Sequence, residues 1–208
     1  MNLSNLLNLI EKEGPNSCLD WEDHWSLMSI DFVEQIARRQ SFIKKFSYAV
    51  PTELAINKII DFSAGSIVEI GAGKGLWAYL IELAGGKIRA TDLHTSENRI
   101  LDSNPYPLLC EAKTTWTNVQ QTDAAQAVTN TIEQTLLTIW PCYKGAWAGR
   151  ALQAFAGQRI IYIGEGEGGC TADDEFHNIL KEKWNLIDDI AIPQWPAIHD
   201  SMYLYSRK

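Results

Sequence analysis

Residues Ser66 to Trp77 read S-I-V-E-I-G-A-G-K-G-L-W, and the character of the chain changes halfway along them. Ile67, Val68 and Ile70 make a nearly continuous β-branched run, the pattern of a strand buried on both faces. Leu76, Trp77, Leu80 and Ile81 then recur at helical spacing. Between these runs lie Gly71, Gly73 and Gly75. Glycines there let a tight turn form without a Cβ penalty, let a ligand come close to the backbone, and leave free N–H groups at a helix N-terminus. The stretch therefore reads as strand, binding turn and helix.

The details discriminate between ligands. A dinucleotide fingerprint, G-x-G-x-x-G, would need its last glycine where this chain has Leu76. The run instead reads acid-x-G-x-G-x-G, with Glu69 ahead of the first glycine. After a Gly85-Gly86 stop, Lys87 to Asp92 reads K-I-R-A-T-D, a second strand ending in an acid where ribose hydroxyls are held in folds of this kind. Taken together, these residues resemble motif I and the following strand of the class I S-adenosylmethionine-dependent methyltransferases. The resemblance runs from about Phe62 to the C-terminus and implies S-adenosylmethionine (SAM) as cofactor. It implies Glu69, Gly71, Ala72, Gly73 and Gly75 around the methionine part, Asp92 at the ribose and the stretch from about Trp116 to Asp123 at the adenine. Trp140 is a further cofactor-binding candidate.

Composition bounds the rest. The chain has 208 residues, 46% hydrophobic and 21% charged, enough for one globular domain with an N-terminal extension. Its net charge of −8 disfavours a surface that grips nucleic acid phosphates. Cys18, Cys110, Cys142 and Cys170 are far apart and form no C-x-x-C pair, so neither a metal site nor a disulfide framework is expected, and a cytoplasmic location fits. No stretch approaches the roughly 20 apolar residues of a membrane span.

In chain order, Leu3, Leu6, Leu7 and Ile10 predict a helix ended by Gly14-Pro15. A second helix is predicted over about Trp21 to Phe46, from the spacing of Trp25, Met28, Phe32, Val33, Ile36 and Phe42, and a third over Glu53 to Phe62 with Pro51 or Thr52 at its start. Residues 1–61 would form a helical cap on a domain of residues 62–208. Beyond Asp92, His94 to Tyr106 reads as a loop, Thr115 to Gln120 as a strand, Asp123 to Asn130 as a short helix and Gln134 to Trp140 as a buried strand. Helix Gly145 to Gly157, strand Arg159 to Gly164, helix Asp173 to Lys183 and strands Trp184 to Ile192 and Ser201 to Ser206 follow. The proline-broken link between the last two strands is too short for a crossover helix, so they must be antiparallel. The expected fold is α/β: a three-layer sandwich with a seven-stranded, mostly parallel sheet, an antiparallel C-terminal hairpin and an N-terminal helical cap.

Three strand-end segments are candidates for the methyl acceptor. Trp140-Pro141-Cys142-Tyr143 resembles a degraded motif IV, in which amino-methyltransferases place the carbonyl of Asp or Asn. An indole only donates, so Trp140 lacks that function, while Tyr143 or Trp140 can stack a flat substrate. Glu165, in the glycine-rich loop Gly164 to Thr171, is a candidate base. His199 is a second, with Asp200 as a possible orienting partner, although neighbours in extended chain point to opposite sides. His24, His94 and His177 have weaker cases, and His177 reads as a surface residue. Tyr143 and the His199 turn are expected to wall one pocket at the carboxyl edge of the sheet. Three classes stay open: an active methyltransferase on a small acceptor, a non-catalytic SAM- or partner-binding module, and a nucleotide-linked oxidoreductase, against which Leu76 argues.

Overall fold

The computed structural model describes residues 1–15, 30–93 and 115–208. Trp25, Met28, His24, Cys18, the start of the second helix, Cys110 and the His94 to Tyr106 loop lie outside the described residues. The sheet is built around β1 (Ser66–Ile70), flanked by β2 (Lys87–Asp92) and β4 (Thr135–Ile139), both parallel to it. Outside these lie β3 (Val119–Gln121) next to β2 and β5 (Arg159–Gly164) next to β4, again parallel. β7 (Ser201–Arg207) then pairs antiparallel with β5 and with the edge strand β6 (Trp184–Ala191), giving the order 3-2-1-4-5-7-6. Ser201 stands opposite both Gly164 and Ala191, so the turn between β6 and β7 sits at the carboxyl end of β5.

Alternation along β1 divides the core. Ile67 joins a cluster with Leu6 and Ile10 of α1 (Leu3–Glu13), Phe42 of α2 (Ile30–Lys45), Ile56 of α3 (Glu53–Phe62) and Leu80 of α4 (Leu76–Leu83). Val68 and Ile70 join the opposite cluster, with α5 (Ala124–Val128), α6 (Trp147–Ala154) and α7 (Asp174–Lys183). One layer of helices on each sheet face gives the expected three-layer sandwich. The N-terminal helices share a core with β1 and α4. No helix among the described residues is long and apolar enough to cross a membrane.

Local signals account for the element ends. Thr52 caps α3 by accepting from Ala55 N at 3.1 Å, and Asp173 caps α7 by accepting from Phe176 N at 3.0 Å. β3 is shorter than the predicted Thr115 to Gln120 because Trp116 is drawn to the glycine loop, its N–H donating to Lys74 O at 2.8 Å. β4 stops at Ile139 because Trp140 takes φ 51° and turns the chain out of the sheet. His177 is a correction: it is buried, its Nε2 is 3.3 Å from Thr171 O, and it meets Tyr162 and Phe176 edge-on. The first turn of α7 faces the sheet there.

Candidate functional site

Gly71, Gly73 and Gly75 all have positive φ, at 68°, 59° and 74°, so the loop between β1 and α4 is left-handed at each glycine. It is stitched to the end of β2 by Ala72 N donating to Thr91 O at 3.0 Å and by Gly73 N donating to Asp92 Oδ2 at 2.8 Å. The expected ribose acid thus stands against the middle glycine. A Cβ on Gly75 would lie 2.9 Å from Val119 Cγ2, and one on Gly71 only 2.6 Å from Cη2 of Trp147. The close approach at these two positions is made by the chain itself.

Glu69 shares the Ile67 face of β1 and is 2% exposed, and its Oε2 has no hydrogen-bond partner. Burial, then the nearby Asp92 and Glu82 charges, push its carboxyl up to about 8, so it is protonated at neutral pH. Lys74, within the loop, is also buried and donates from Nζ to Lys44 O at the end of α2. Trp116 stacks on Phe46 at 6.2 Å and on Tyr79 at 6.1 Å. The glycine loop, the end of α2 and the segment before β3 are therefore one packed unit. At the far end of the expected adenine segment, Asp123 serves as N-cap of α5.

Four of the five non-glycine residues with positive φ among the described residues, Trp140, Lys144, Ala172 and Ala197, lie in the loops at the carboxyl edge. Such strain costs on the order of 1–3 kcal/mol per residue and gathers at functional loops. The β4 and β5 loops are joined there: Ala172 N donates to Pro141 O at 2.9 Å and Lys144 N to Ala172 O at 2.8 Å. Glu165, 6% exposed, accepts from His199 N on Oε1 at 2.8 Å and from Cys170 N on Oε2 at 2.6 Å. Burial pushes its carboxyl up, but these hydrogen bonds outweigh burial and hold it below the usual carboxylate range. His199 Nδ1 is 3.4 Å from the same Oε1, while its side chain is 80% exposed. Glu165, not Asp200, is the acid beside His199.

Asp200 points the other way, as expected for adjacent residues in extended chain. It is 1% exposed, and both its oxygens are 2.8 Å from Trp140 Nε1. Burial, with the Glu165 charge adding to it, pushes Asp200 up to about 7 against the indole hydrogen bond. The Trp140 ring stacks on Tyr48 at 4.9 Å and lies 5.3 Å from the Arg39 guanidinium carbon. Its N–H and one ring face are thus taken up within the chain. Tyr143 is 41% exposed, with the Lys144 ammonium 5.0 Å from its ring centre.

The structure groups Glu69, the glycines and Asp92 in one place, and His199 with Glu165 in another. Trp147, inside the helix predicted over Gly145 to Gly157, bridges the glycine loop and the β4 loop: its ring packs on Gly71 and its Nε1 lies 3.0 Å from Cys142 Sγ. Nothing in the sequence told which way that side chain points. Among the described residues, no group of His, Cys, Asp and Glu side chains could hold a metal ion.

No protein-family model matches the sequence, and no curated protein matches it. Solved structures do. The chain superimposes on magnesium protoporphyrin IX methyltransferase (ChlM) from Synechocystis PCC 6803 with bound SAM at a TM-score of 0.52, with 11% identity over 93% of this chain and 100% of that one. The same enzyme with bound SAH gives 0.51, with 11% identity over 90% and 93%. The N-methyltransferase NodS from Bradyrhizobium japonicum WM9, in complex with S-adenosyl-L-homocysteine (SAH), gives 0.49, with 13% identity over 98% of both chains. With strand order 3-2-1-4-5-7-6 and its glycine loop after β1, the chain has the fold of the class I SAM-dependent methyltransferases.

Proposed function

We propose that the chain is a SAM-dependent methyltransferase acting on a small-molecule acceptor. The observation that carries this reading is the glycine loop, left-handed at all three glycines, with Asp92 reaching back to Gly73 N at 2.8 Å. The unpartnered, buried Glu69 Oε2 beside it fits a ligand that brings a donor, as the amino group of SAM does. Glu69, Gly71, Ala72, Gly73 and Gly75 would hold the methionine part, Asp92 the ribose and the 116–123 segment the adenine. Calorimetry tests the reading: SAM and SAH are expected to bind and NAD is not, and binding of NAD alone would overturn it. Asp92→Ala is expected to weaken SAM by about 10–150-fold, the worth of one hydrogen bond to a charged group. Unchanged affinity would remove the ribose assignment.

Bound SAM supplies a methyl group already activated on a sulfonium, so the protein's main task is to hold the acceptor in line with it. Residues 1–61 would wall the acceptor side as a helical cap. Glu165 beside His199 Nδ1 favours the tautomer with its proton on that nitrogen, which leaves Nε2 to take the acceptor's proton. Tyr143 would flank the acceptor from the next loop. His199→Ala is then expected to lower turnover by about 10²–10⁴-fold with SAM affinity unchanged, measured with radiolabelled SAM against small acceptors. Equal losses in turnover and SAM affinity would instead make His199 a structural residue. The free Cys142 and Cys170 fit a reducing compartment such as the cytoplasm.

One observation favours a second reading, a SAM-binding module without catalysis. The oxygens of Asp200 and Glu165 already accept hydrogen bonds within the chain, and Trp140 stands where amino-methyltransferases carry an acceptor carbonyl. Tight SAM binding without methyl transfer to any acceptor would decide for it.

A further inference from the structure

Among the described residues, the partly buried arginines other than Arg39 find oxygen acceptors. Arg38 donates to Glu13 O, Arg89 to Glu133, Arg159 to Phe62 O, and Arg207 to Gly157 O and Phe155 O. Arg39 is the exception among the described residues. Its Nε is buried without a hydrogen-bond partner, although its guanidinium sits over Trp140 at the carboxyl end of β4. One turn earlier on α2, Gln35 is 6% exposed and its Oε1 likewise has no partner. Residues four apart share one helix face, so the unpartnered donor and the unpartnered acceptor belong to the same face of α2.

We propose that Arg39 and Gln35 form the recognition subsite for the methyl acceptor, and that the acceptor is a small carboxylic acid bearing a hydroxyl or amino donor. This rests on the methyltransferase reading above. A guanidinium fork with unused N–H groups matches a planar carboxylate, and a bare amide oxygen calls for an N–H or O–H. The Cα atoms of the two residues are about 6 Å apart along the helix, so one small molecule can meet both.

The nearby acids point to the same class rather than to a cationic acceptor. Asp200 and Glu165 lie close enough to act on the Arg39 charge, yet their oxygens are occupied by Trp140 Nε1, His199 N and Cys170 N. The valences left open are the donors of Arg39 and the acceptor of Gln35. Burying a charged or polar group without a partner is costly, and a ligand that satisfies both removes that cost. The subsite lies at the carboxyl edge of the sheet, where Trp140 links Arg39 to Asp200 and where the glycine loop also sits.

The test uses the full chain and calorimetry with two acids of different size, lactate and 3-hydroxybenzoate. Their neutral amides and the donor-free propionate and benzoate serve as controls, each measured with and without saturating SAH. The expected result is that at least one hydroxy acid binds at least tenfold tighter than its amide and than its donor-free partner. Arg39→Gln should erase the preference over the amide, and Gln35→Leu only the preference for the hydroxyl. The comparison of acid with amide on the unaltered protein needs no variant to fold. Equal binding of acid and amide, or no binding of either acid up to millimolar concentration while SAH binds, would overturn the proposal. Failure of SAH to bind while the acids behave as expected would instead remove the methyltransferase reading and leave the anion subsite standing.

Discussion

Gly71→Ala is expected to lower the melting temperature by about 5–15 °C and to weaken SAM binding by at least tenfold. Two costs add. A residue with a Cβ held at φ 68° in the left-handed region loses about 1–2 kcal/mol. The new methyl would also stand 2.6 Å from Cη2 of Trp147, and forcing packed groups apart costs about 1–3 kcal/mol. For a chain of this length each kcal/mol moves the midpoint by about 2–4 °C. The two costs separate in a double-mutant cycle, because Trp147→Ala removes the obstruction and leaves the backbone strain. In that background Gly71→Ala should cost only the first 1–2 kcal/mol or so. If the cost were the same with and without Trp147, the indole would not be what requires a glycine at 71. The ring's hold on both Gly71 and Cys142 makes this test informative, since a shift of Trp147 would disturb the cofactor loop and the β4 loop together.

The frame of this site was legible because it is local. Ile67, Val68, Ile70 and the three glycines specify strand and turn through their own backbone preferences, and Asp92 is placed by the end of the next parallel strand. The final hairpin followed from the length of one connection. What could not be read depends on contacts between distant segments. Glu165 and His199 meet because β7 pairs beside β5, and that register, not the adjacent Asp200, supplies the acid beside His199. Trp147, Arg39 and Gln35 matter through the direction of their side chains, which the crossing of α6 and α2 over the sheet decides. His177 was misread for the same reason: its helix turns that residue toward Tyr162. Trp116 shortened a predicted strand by reaching the glycine loop, a tertiary hydrogen bond that no local propensity records.

Replacing Glu69 by Gln is expected to stabilise the ligand-free protein at pH 8 by a few kcal/mol while weakening SAM binding. Burial, with Asp92 and Glu82, lifts the folded carboxyl to about 8 against an ordinary 4.5. Between those values the folded protein holds a proton that the unfolded chain releases, so stability falls as pH rises across that window. Asp200 acts with the same sign from 3.8 up to about 7. Glu133 acts oppositely: Arg89 holds it down to about 2, a contribution fully present above 4.5 and lost as pH falls toward 2. The unaltered protein should therefore be most stable in the mildly acidic range, and the Gln variant should lose the part of the decline that Glu69 causes, most visibly above pH 7. Urea unfolding from about pH 4 to about pH 9 measures this, and parallel profiles for the two proteins would refute the burial account. A buried acid that destabilises its own fold is intelligible where a ligand relieves it. The amino group of SAM, by donating to Oε2, would draw Glu69 into its charged form and replace a lone acceptor with an ion pair, which an amide cannot do. SAM affinity should then drop by about 10–150-fold in the variant at neutral pH, the usual worth of a hydrogen bond to a charged group. A variant that was stabler and bound SAM as tightly would leave Glu69 outside the cofactor's contacts.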